Sequence, residues 1–370
     1  MKRETEAVSR RSFLKGAAVG ALALSSISTI ITPRRAWAYE PGGRIHPNVN
    51  PLRVVGVRDP AMITAEAVPP AWEDQDAVVA AAKVQENMDR MALALAQESA
   101  VEDAWKKVLL KPAGKSWSDV VVAIKTNQIA QQRTRSAVMS KVCHVFTDVL
   151  GVPGGNLFVY DARHGGAMSR QNPFKGLPEG VNLANTWGGF SGTVRVPEPY
   201  TGGNKRCLGH LATGEVDILV NIALCKGHNA PFGNFTMCMK NHLGTFHPGP
   251  AHGAGGGATY LIGINKSPAI LGQIDPETGA VAFPRQQLCI VDALWSSRGG
   301  PGGPPTHQTN TLLMGVFGPA MDYVGGTHLR QEIMGWPVNP TVTERFLTEF
   351  GFTPEDMPNE GRFIDALAEG

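Results

Sequence analysis

The stretch 226–252 holds the densest collection of side chains that could do chemistry. Two lysines and four of the ten histidines of the 370-residue chain lie within it: Lys226, His228, Lys240, His242, His247 and His252. Lysine ammonium groups bind phosphate or carboxylate, and a histidine beside them could transfer protons. The alternative is a metal site, with Cys225 or Cys238 as further ligands. The histidine spacing matches no standard metal motif, which favours the anion interpretation over the metal site; a structural loop with surface lysines is the third reading.

Polar residues also follow other apolar runs of the chain. After these runs come Lys125-Thr126-Asn127, Asp161, Lys226-Gly227-His228-Asn229, Asp292, and Gly318 to Asp322. If the runs are parallel strands, their carboxyl ends meet at one edge of the sheet, where open α/β sheets bind ligands. The sequence therefore predicts one shared site at that edge. The three aspartates could equally be turn or helix-cap residues.

The elements that must position these residues can be predicted from hydrophobic pattern. Apolar, β-branched runs predict buried strands at 119–124, 156–160, 216–223, 288–291 and 311–316, with a shorter strand at 52–57. Helical spacing predicts helices within 76–110, 134–150, 320–334, 341–350 and 361–368. The order strand, helix, strand over 119–160 is a β-α-β unit. We therefore expect a single α/β domain over 52–370, with a largely parallel central sheet flanked by helices. The stretches 163–206 and 245–285 are then long Gly/Pro-rich insertions.

The first 38 residues predict an export signal. Ser9-Arg10-Arg11-Ser12-Phe13-Leu14-Lys15 is a twin-arginine pattern, an apolar run of small residues follows, and Ala36-Trp37-Ala38 fits a cleavage site. The run is shorter than the ~20 residues that a transmembrane helix needs, so no stable membrane anchor is expected after cleavage. We expect a periplasmic or otherwise extracytoplasmic protein in which 39–51 is a linker.

Charge and cysteine content argue against several classes of protein. Residues 1–38 hold seven Lys/Arg and two Glu, so their removal would change the formal net charge from +2 to about −3. No basic tail or patch then remains to suggest nucleic-acid binding. The five cysteines are widely spaced, and no C-x-x-C occurs. This pattern argues against a disulfide framework and against a ferredoxin-type iron–sulfur motif, and favours buried free thiols.

At these motifs the chain resembles the family called domain of unknown function 362. The family pattern is a strand followed by K-x-N, and later a strand leading into K-x-H, a T, and K-N-x-x-G. The matching residues are Lys125-Thr126-Asn127, Lys226-Gly227-His228, Thr236 and Lys240-Asn241-His242-Leu243-Gly244. Ile290-Val291-Asp292 with the Gly/Pro loop after it, and Gly318 to Gly325, resemble two later family segments.

The resemblance covers roughly residues 50–350 and departs from the family pattern in three places. Gly318 stands where an aspartate is usual and Ala293 where a glycine is common. The ferredoxin-like cysteine clusters of many members are missing, so no iron–sulfur cofactor is implied. The family has no generally established activity, and the resemblance therefore implies a fold and a site rather than a reaction.

Residues and resemblance together give one hypothesis for the site. The candidate catalytic residues are His228 as general acid/base, with Lys226 and Lys240. The candidate substrate-binding residues are Lys125, Asn127, Thr236 and Asn241. The candidate metal ligands are His242, His247, His252, Asp292 and Asp322; no cofactor is identified, but twin-arginine export mildly favours a bound metal or cofactor.

This site suggests an exported enzyme acting on a small anionic substrate. The alternative is a non-catalytic periplasmic protein that binds or assembles a ligand or cofactor and is exported with a redox partner protein. Tight ligand retention without turnover would distinguish the alternative.

Overall fold

The computed structural model describes residues 39–161, 174–185, 189–200, 202–358 and 364–365. The predicted signal peptide, 1–38, lies outside the described residues. Within the described ranges no helix is both long and apolar enough to span a bilayer.

The chain forms fourteen strands in these ranges. They are β1 (Val55–Arg58), β2 (Val122–Lys125), β3 (Leu157–Asp161), β4 (Asn182–Asn185), β5 (Gly192–Arg195), β6 (Asn204–Cys207), β7 (Ile218–Leu224), β8 (Lys226–Gly227), β9 (Phe235–Thr236), β10 (Gly272–Ile274), β11 (Val281–Pro284), β12 (Gln286–Ser296), β13 (His307–Gly315) and β14 (Ile364–Asp365). Eight of them build the central sheet in the order β14-β1-β13-β12-β7-β2-β3-β4.

Ten α-helices lie in the described ranges. They are α1 (Trp72–Ala77), α2 (Ala81–Ala96), α3 (Val101–Val108), α4 (Ser136–His144), α5 (Gly209–Ala212), α6 (Cys238–Asn241), α7 (Ala258–Asn265), α8 (Pro268–Leu271), α9 (Gly318–Val324) and α10 (Pro340–Thr348). π-Helical turns extend α4 over Val145–Val149 and α9 over Gly325–Ile333.

The sheet is largely parallel, as predicted. The neighbours β12, β7, β2, β3 and β4 all run in one direction. Every residue of β2, β7 and β12 is buried, which is why these segments are continuous apolar runs. The predicted β-α-β unit is confirmed as β2, α4 and β3, with Val122 opposite Leu157. Helix α2 packs against α3 and α4 and against β1 and β13, while α6 and α9 contact each other and β12.

One strand runs opposite to the expectation. β13 pairs antiparallel with β12, with Met314 opposite Ile290. Its last residue, Gly315, lies level with Cys289 of β12, with Asn221 of β7 and with Lys125, the last residue of β2, so the chain leaves β13 beside the end of β2 but in the opposite direction. A buried strand has the same apolar pattern in either direction, so the pattern could not show this. In the structure only 297–306 connects the two strands, whereas a parallel crossover needs a dozen or more residues.

Three further predictions differ from the structure. Asp292 does not end a strand: β12 continues past it to Ser296. The predicted 39–51 linker has no helix or strand, but Tyr39, Ile45 and Val49 are buried in the core. The helix predicted at 361–368 lies outside the described residues except for Ile364–Asp365, which pair with β1 as a strand.

Candidate functional site

Lys125 is the last residue of β2 and its amine is buried at the carboxyl edge of the sheet. The Nζ atom donates to Thr126 O at 2.6 Å, to Asp161 Oδ1 at 2.8 Å and to Asn241 Oδ1 at 3.3 Å. These three acceptors use all the donors of an ammonium group. Burial lowers the pKa of Lys125, and the ion pair with Asp161 opposes that shift. Lys125 was predicted to bind substrate, but its contacts place it in a saturated network that orients its neighbours.

Two asparagines connect Lys125 to the second lysine of the motif. Asn241 lies at the end of α6, and its Nδ2 donates to Asn221 Oδ1 at 2.8 Å and to Ile222 O at 3.0 Å on β7. Its Oδ1 accepts from Lys125 and from Asn127 Nδ2 at 3.2 Å. Both the oxygen and the nitrogen of the Asn241 carboxamide are therefore hydrogen-bonded, and these bonds hold α6 against the sheet.

Lys226 is buried directly beyond β7, where β8 pairs with β9 so that Lys226 faces Thr236. Its Nζ donates to Asn127 Oδ1 at 2.9 Å and to Ile129 O at 3.2 Å. Both acceptors are uncharged, and one of the three donors has no partner in the described part of the chain. Thr236, opposite Lys226 on β9, is also a buried residue. Of the buried lysines in the described ranges, Lys226 is thus the one whose positive charge is least balanced by its hydrogen-bond partners.

The electrostatic surroundings of Lys226 disfavour its charged form. Burial lowers the pKa of this amine to about 7, and the charges of Arg135, Lys240 and Lys125 act in the same direction. Asp161 opposes the shift but is already paired with Lys125. The Lys226 amine therefore titrates near neutral pH, where proton transfer is most efficient.

The glycine between Lys226 and His228 is required by the loop that covers it. A Cβ at Gly227 would lie 2.1 Å from Arg298 O and 2.4 Å from Gly299 O. Arg330 holds this loop by donating to Ser297 O at 3.1 Å and to Arg298 O at 3.2 Å. The Gly/Pro loop after β12 thus closes over the backbone of the lysine segment.

Lys240 forms the outer part of the cationic cluster. Its Nζ lies 5.0 Å from the centroid of the Phe232 ring. It forms no hydrogen bond or ion pair with the residues that the structure describes. Burial and the charge of Lys125 lower its pKa to about 8. This half-buried amine is therefore available to a ligand.

His228 contacts the same phenylalanine. Its ring meets Phe232 edge-on at 4.6 Å, and its Nδ1 is 2.6 Å from Asn229 Oδ1. Burial and the charge of Lys240 lower the pKa of His228 to about 4. The imidazole is neutral at pH 7, so it is a weak base there. Of the candidate catalytic residues, Lys226 has the pKa that suits proton transfer at neutral pH, and His228 does not.

The histidine candidates for a metal do not share one location. His242 is fully buried, with Nε2 2.6 Å from Gln286 Oε1 and Nδ1 3.1 Å from Thr245 Oγ1. Burial lowers its pKa to about 3, so it is a neutral core residue. His247 packs on Phe190, and His252 stacks 6.5 Å from the ring of His228.

The two aspartate candidates are bound to backbone amides. Asp292 Oδ2 accepts from Arg135 N at 2.8 Å, and both Asp322 oxygens accept from Met239 N at 3.2 Å. Burial raises the pKa of both carboxyls. In the described ranges no group of three or more His, Cys, Asp or Glu side chains could hold a metal ion. The five candidates therefore do not form one metal centre there; all five cysteines are buried free thiols.

Arg135 is a charged residue of this region that the sequence reasoning missed. It precedes α4, and its side chain is buried beside the lysines, lowering the pKa of Lys226. A cation at the amino terminus of a helix is unfavourable because it opposes the helix dipole. An arginine at the start of a predicted helix was therefore the signal in the sequence that Arg135 has another role.

Comparison with known proteins returned no match to the chain. No family model, no curated protein and no solved structure matches it.

Proposed function

We propose that the protein binds a small anionic substrate at the carboxyl edge of its sheet and acts on it as an enzyme. One observation carries the proposal: Lys226 and Lys240 have no carboxylate partner among the residues described, although burial lowers the pKa of both. The one carboxylate in the lysine network, Asp161, is paired with Lys125 at 2.8 Å. The site therefore holds more positive charge than its own acidic residues balance.

An anion would relieve this imbalance. Charges removed from water are costly unless they are paired, and buried lysines respond by losing their protons. A phosphate or carboxylate between Lys226 and Lys240 would favour the ammonium forms and raise both pKa values. Ligand binding would thus be coupled to proton uptake.

The same coupling supports a catalytic role for Lys226. In the free protein its amine is partly neutral at pH 7 and can accept a proton. Lys240, on the Phe232 ring, would hold the anionic group, while Lys125 and Asn241 position Asn127. In this proposal Lys226 replaces His228 as the group that moves the proton.

A thermal-shift titration tests the anion proposal. The purified protein is titrated with sodium phosphate, sulfate, acetate, oxalate and malonate at constant ionic strength, alongside Lys226→Met and Lys240→Met. Lys106→Met is the matched control, because Lys106 is an exposed lysine that pairs with Glu102 on the surface of α3. We expect at least one anion to raise the melting temperature of the wild type and the control but neither site variant. Equal shifts in all four proteins would refute the proposal.

The non-catalytic alternative is favoured by the burial of Lys226, which is only 1 % exposed. A ligand enclosed that deeply could be retained rather than turned over by a binding or assembly protein with a redox partner. Native mass spectrometry of protein purified from its export compartment separates the two. A bound ligand recovered unchanged after incubation supports the alternative, whereas its chemical conversion supports an enzyme.

We also propose twin-arginine export and membership of the family called domain of unknown function 362. Export is supported by Arg10 and Arg11 before a weakly apolar run. The Arg10→Lys/Arg11→Lys double variant should remain in the cytoplasm, and its unchanged export would contradict this. Family membership is supported by the linked lysine and asparagine motifs, and anion binding by an established member, lost on changing the matching lysines, would test it.

A further inference from the structure

The Arg135 side chain is a buried cation that has no ion-pair partner in the part of the chain that the structure describes. Its residue is 1 % exposed, and its Nε and Nη1 atoms have no hydrogen-bond partner among the described residues. Buried polar groups are almost always hydrogen-bonded, and a guanidinium keeps its charge at any pH that proteins meet. Two unpartnered N–H donors on a buried arginine therefore indicate a missing acceptor.

The nearest carboxylates do not supply that acceptor. Asp292 and Asp76 attract the charge of Arg135, but neither forms an ion pair with it within 4.0 Å. Asp292 accepts the backbone N–H of Arg135 at 2.8 Å. Asp76 accepts from Ser136 N at 2.8 Å and Ser136 Oγ at 2.7 Å. Both carboxylates thus cap the start of α4, and neither pairs with the guanidinium.

The segment that carries Arg135 is fixed against the residue before Lys226. Gln132 Nε2 donates to Cys225 O at 3.0 Å and to Trp295 O at 2.9 Å. Gln132 Oε1 is itself buried and has no hydrogen-bond partner among the described residues. The charge of Arg135 is close enough to Lys226 to lower the pKa of its amine. The hydrogen bond from Gln132 to Cys225 thus joins the segments of Arg135 and Lys226, and both of these side chains are buried.

We propose that Arg135 and Lys226 together bind one oxyanion group of the ligand, a carboxylate or a phosphate, on the inner side of Lys240. The inference rests on the anion site proposed above and adds its innermost residue. The planar guanidinium presents parallel N–H donors that fit two oxygens of such a group, whereas an ammonium acts as a point charge. The ligand would enter with its anionic end first, and Lys240 would close the outer side.

Isothermal titration with sodium phosphate and sodium oxalate tests the inference on wild type, Arg135→Met, Arg135→Lys and Arg133→Met. Arg133 is the matched control, since it lies two residues away, is half-buried, and packs over Trp72. We expect Arg135→Met to lose about tenfold or more in affinity, Arg135→Lys to lose less, and Arg133→Met to bind as wild type does. Tighter binding of oxalate would indicate a carboxylate ligand, and tighter binding of phosphate a phosphorylated one.

The outcomes separate this inference from the proposed function. Wild-type binding that Lys240→Met abolishes and Arg135→Met leaves unchanged would overturn the role of Arg135 alone. No binding of either anion by the wild type would overturn both. If Arg135→Met does not fold, crystals of the wild type soaked in sodium selenate give the answer. An anomalous peak within hydrogen-bond distance of Arg135 supports the inference, and water alone at that position overturns it.

Discussion

Replacing Lys226 by methionine should stabilise the protein at low pH and not at high pH. Burial lowers the pKa of this amine from 10.5 to about 7. At 1.36 kcal/mol per pKa unit, this shift corresponds to a cost on the order of 5 kcal/mol for the folded state. Methionine removes the charge at similar length but loses the bonds to Asn127 and Ile129, each worth about 1 kcal/mol. The net expectation at pH 6 is a gain of about 3 kcal/mol in the free energy of unfolding.

The pH dependence follows from the direction of the shift. Below pH 7 the amine is protonated in both the folded and the unfolded chain, so the full cost of burying the charge is present. Between pH 7 and 10.5 the unfolded chain binds a proton that the folded chain does not, so the wild type gains stability as pH rises. By pH 9 the remaining cost has fallen to about 2 kcal/mol, which the two lost hydrogen bonds offset. The advantage of the methionine variant should therefore disappear near pH 9.

Urea unfolding followed by circular dichroism at pH 6 and pH 9 measures the difference. Wild type and Lys226→Met are compared at both pH values, with Lys106→Met as the exposed control, which should stay within about 0.5 kcal/mol of the wild type. A stability difference between wild type and Lys226→Met that is the same at both pH values would refute the reasoning. It would mean that the charge of Lys226 is already balanced in the folded protein.

Two further substitutions, measured by urea unfolding, test the contacts that hold the lysine segments in place. Gly227→Ala should cost about 2 kcal/mol or more, because its Cβ would lie 2.1 Å from Arg298 O. Gly300→Ala meets nothing within 4 Å and should change stability by less than about 0.5 kcal/mol, so equal effects would contradict the close approach at Gly227. Asp161→Asn should cost about 3–5 kcal/mol because it leaves Lys125 buried without its ion pair. A fully stable Asp161→Asn variant would show that Lys125 does not need the carboxylate.

The central strands could be predicted because both of their faces are buried. A strand covered on both sides has no polar face to interrupt it, so β2, β3 and β7 appear in the sequence as continuous apolar runs. Because these strands are parallel, the residues that follow them lie at the same edge of the sheet. That is why Lys125, Asn127 and Lys226, far apart in sequence, could be expected near one another, and hydrogen bonds join them.

The direction of a strand and the burial of a polar side chain could not be predicted in the same way. The antiparallel direction of β13 could not be read from the sequence, because a buried strand has the same apolar pattern in both directions. His242 has the residue type of a ligand or catalyst, but its ring is satisfied by Gln286 and Thr245 in the core. Arg135 was missed because the burial of an arginine depends on contacts between segments that are distant in sequence. Composition gives the type of a side chain, and only packing decides which of its donors stay free.

The pKa of the Lys226 amine, measured by nuclear magnetic resonance on protein with labelled lysine side chains, tests the central claim most directly. The titration is made in sodium chloride and again in saturating sodium phosphate or sodium oxalate at equal ionic strength. The account predicts one amine with a pKa of about 7 in chloride, absent from Lys226→Met, that shifts upward when the anion binds. An amine that titrates near 10.5 in chloride, or that does not respond to either anion, would contradict the account.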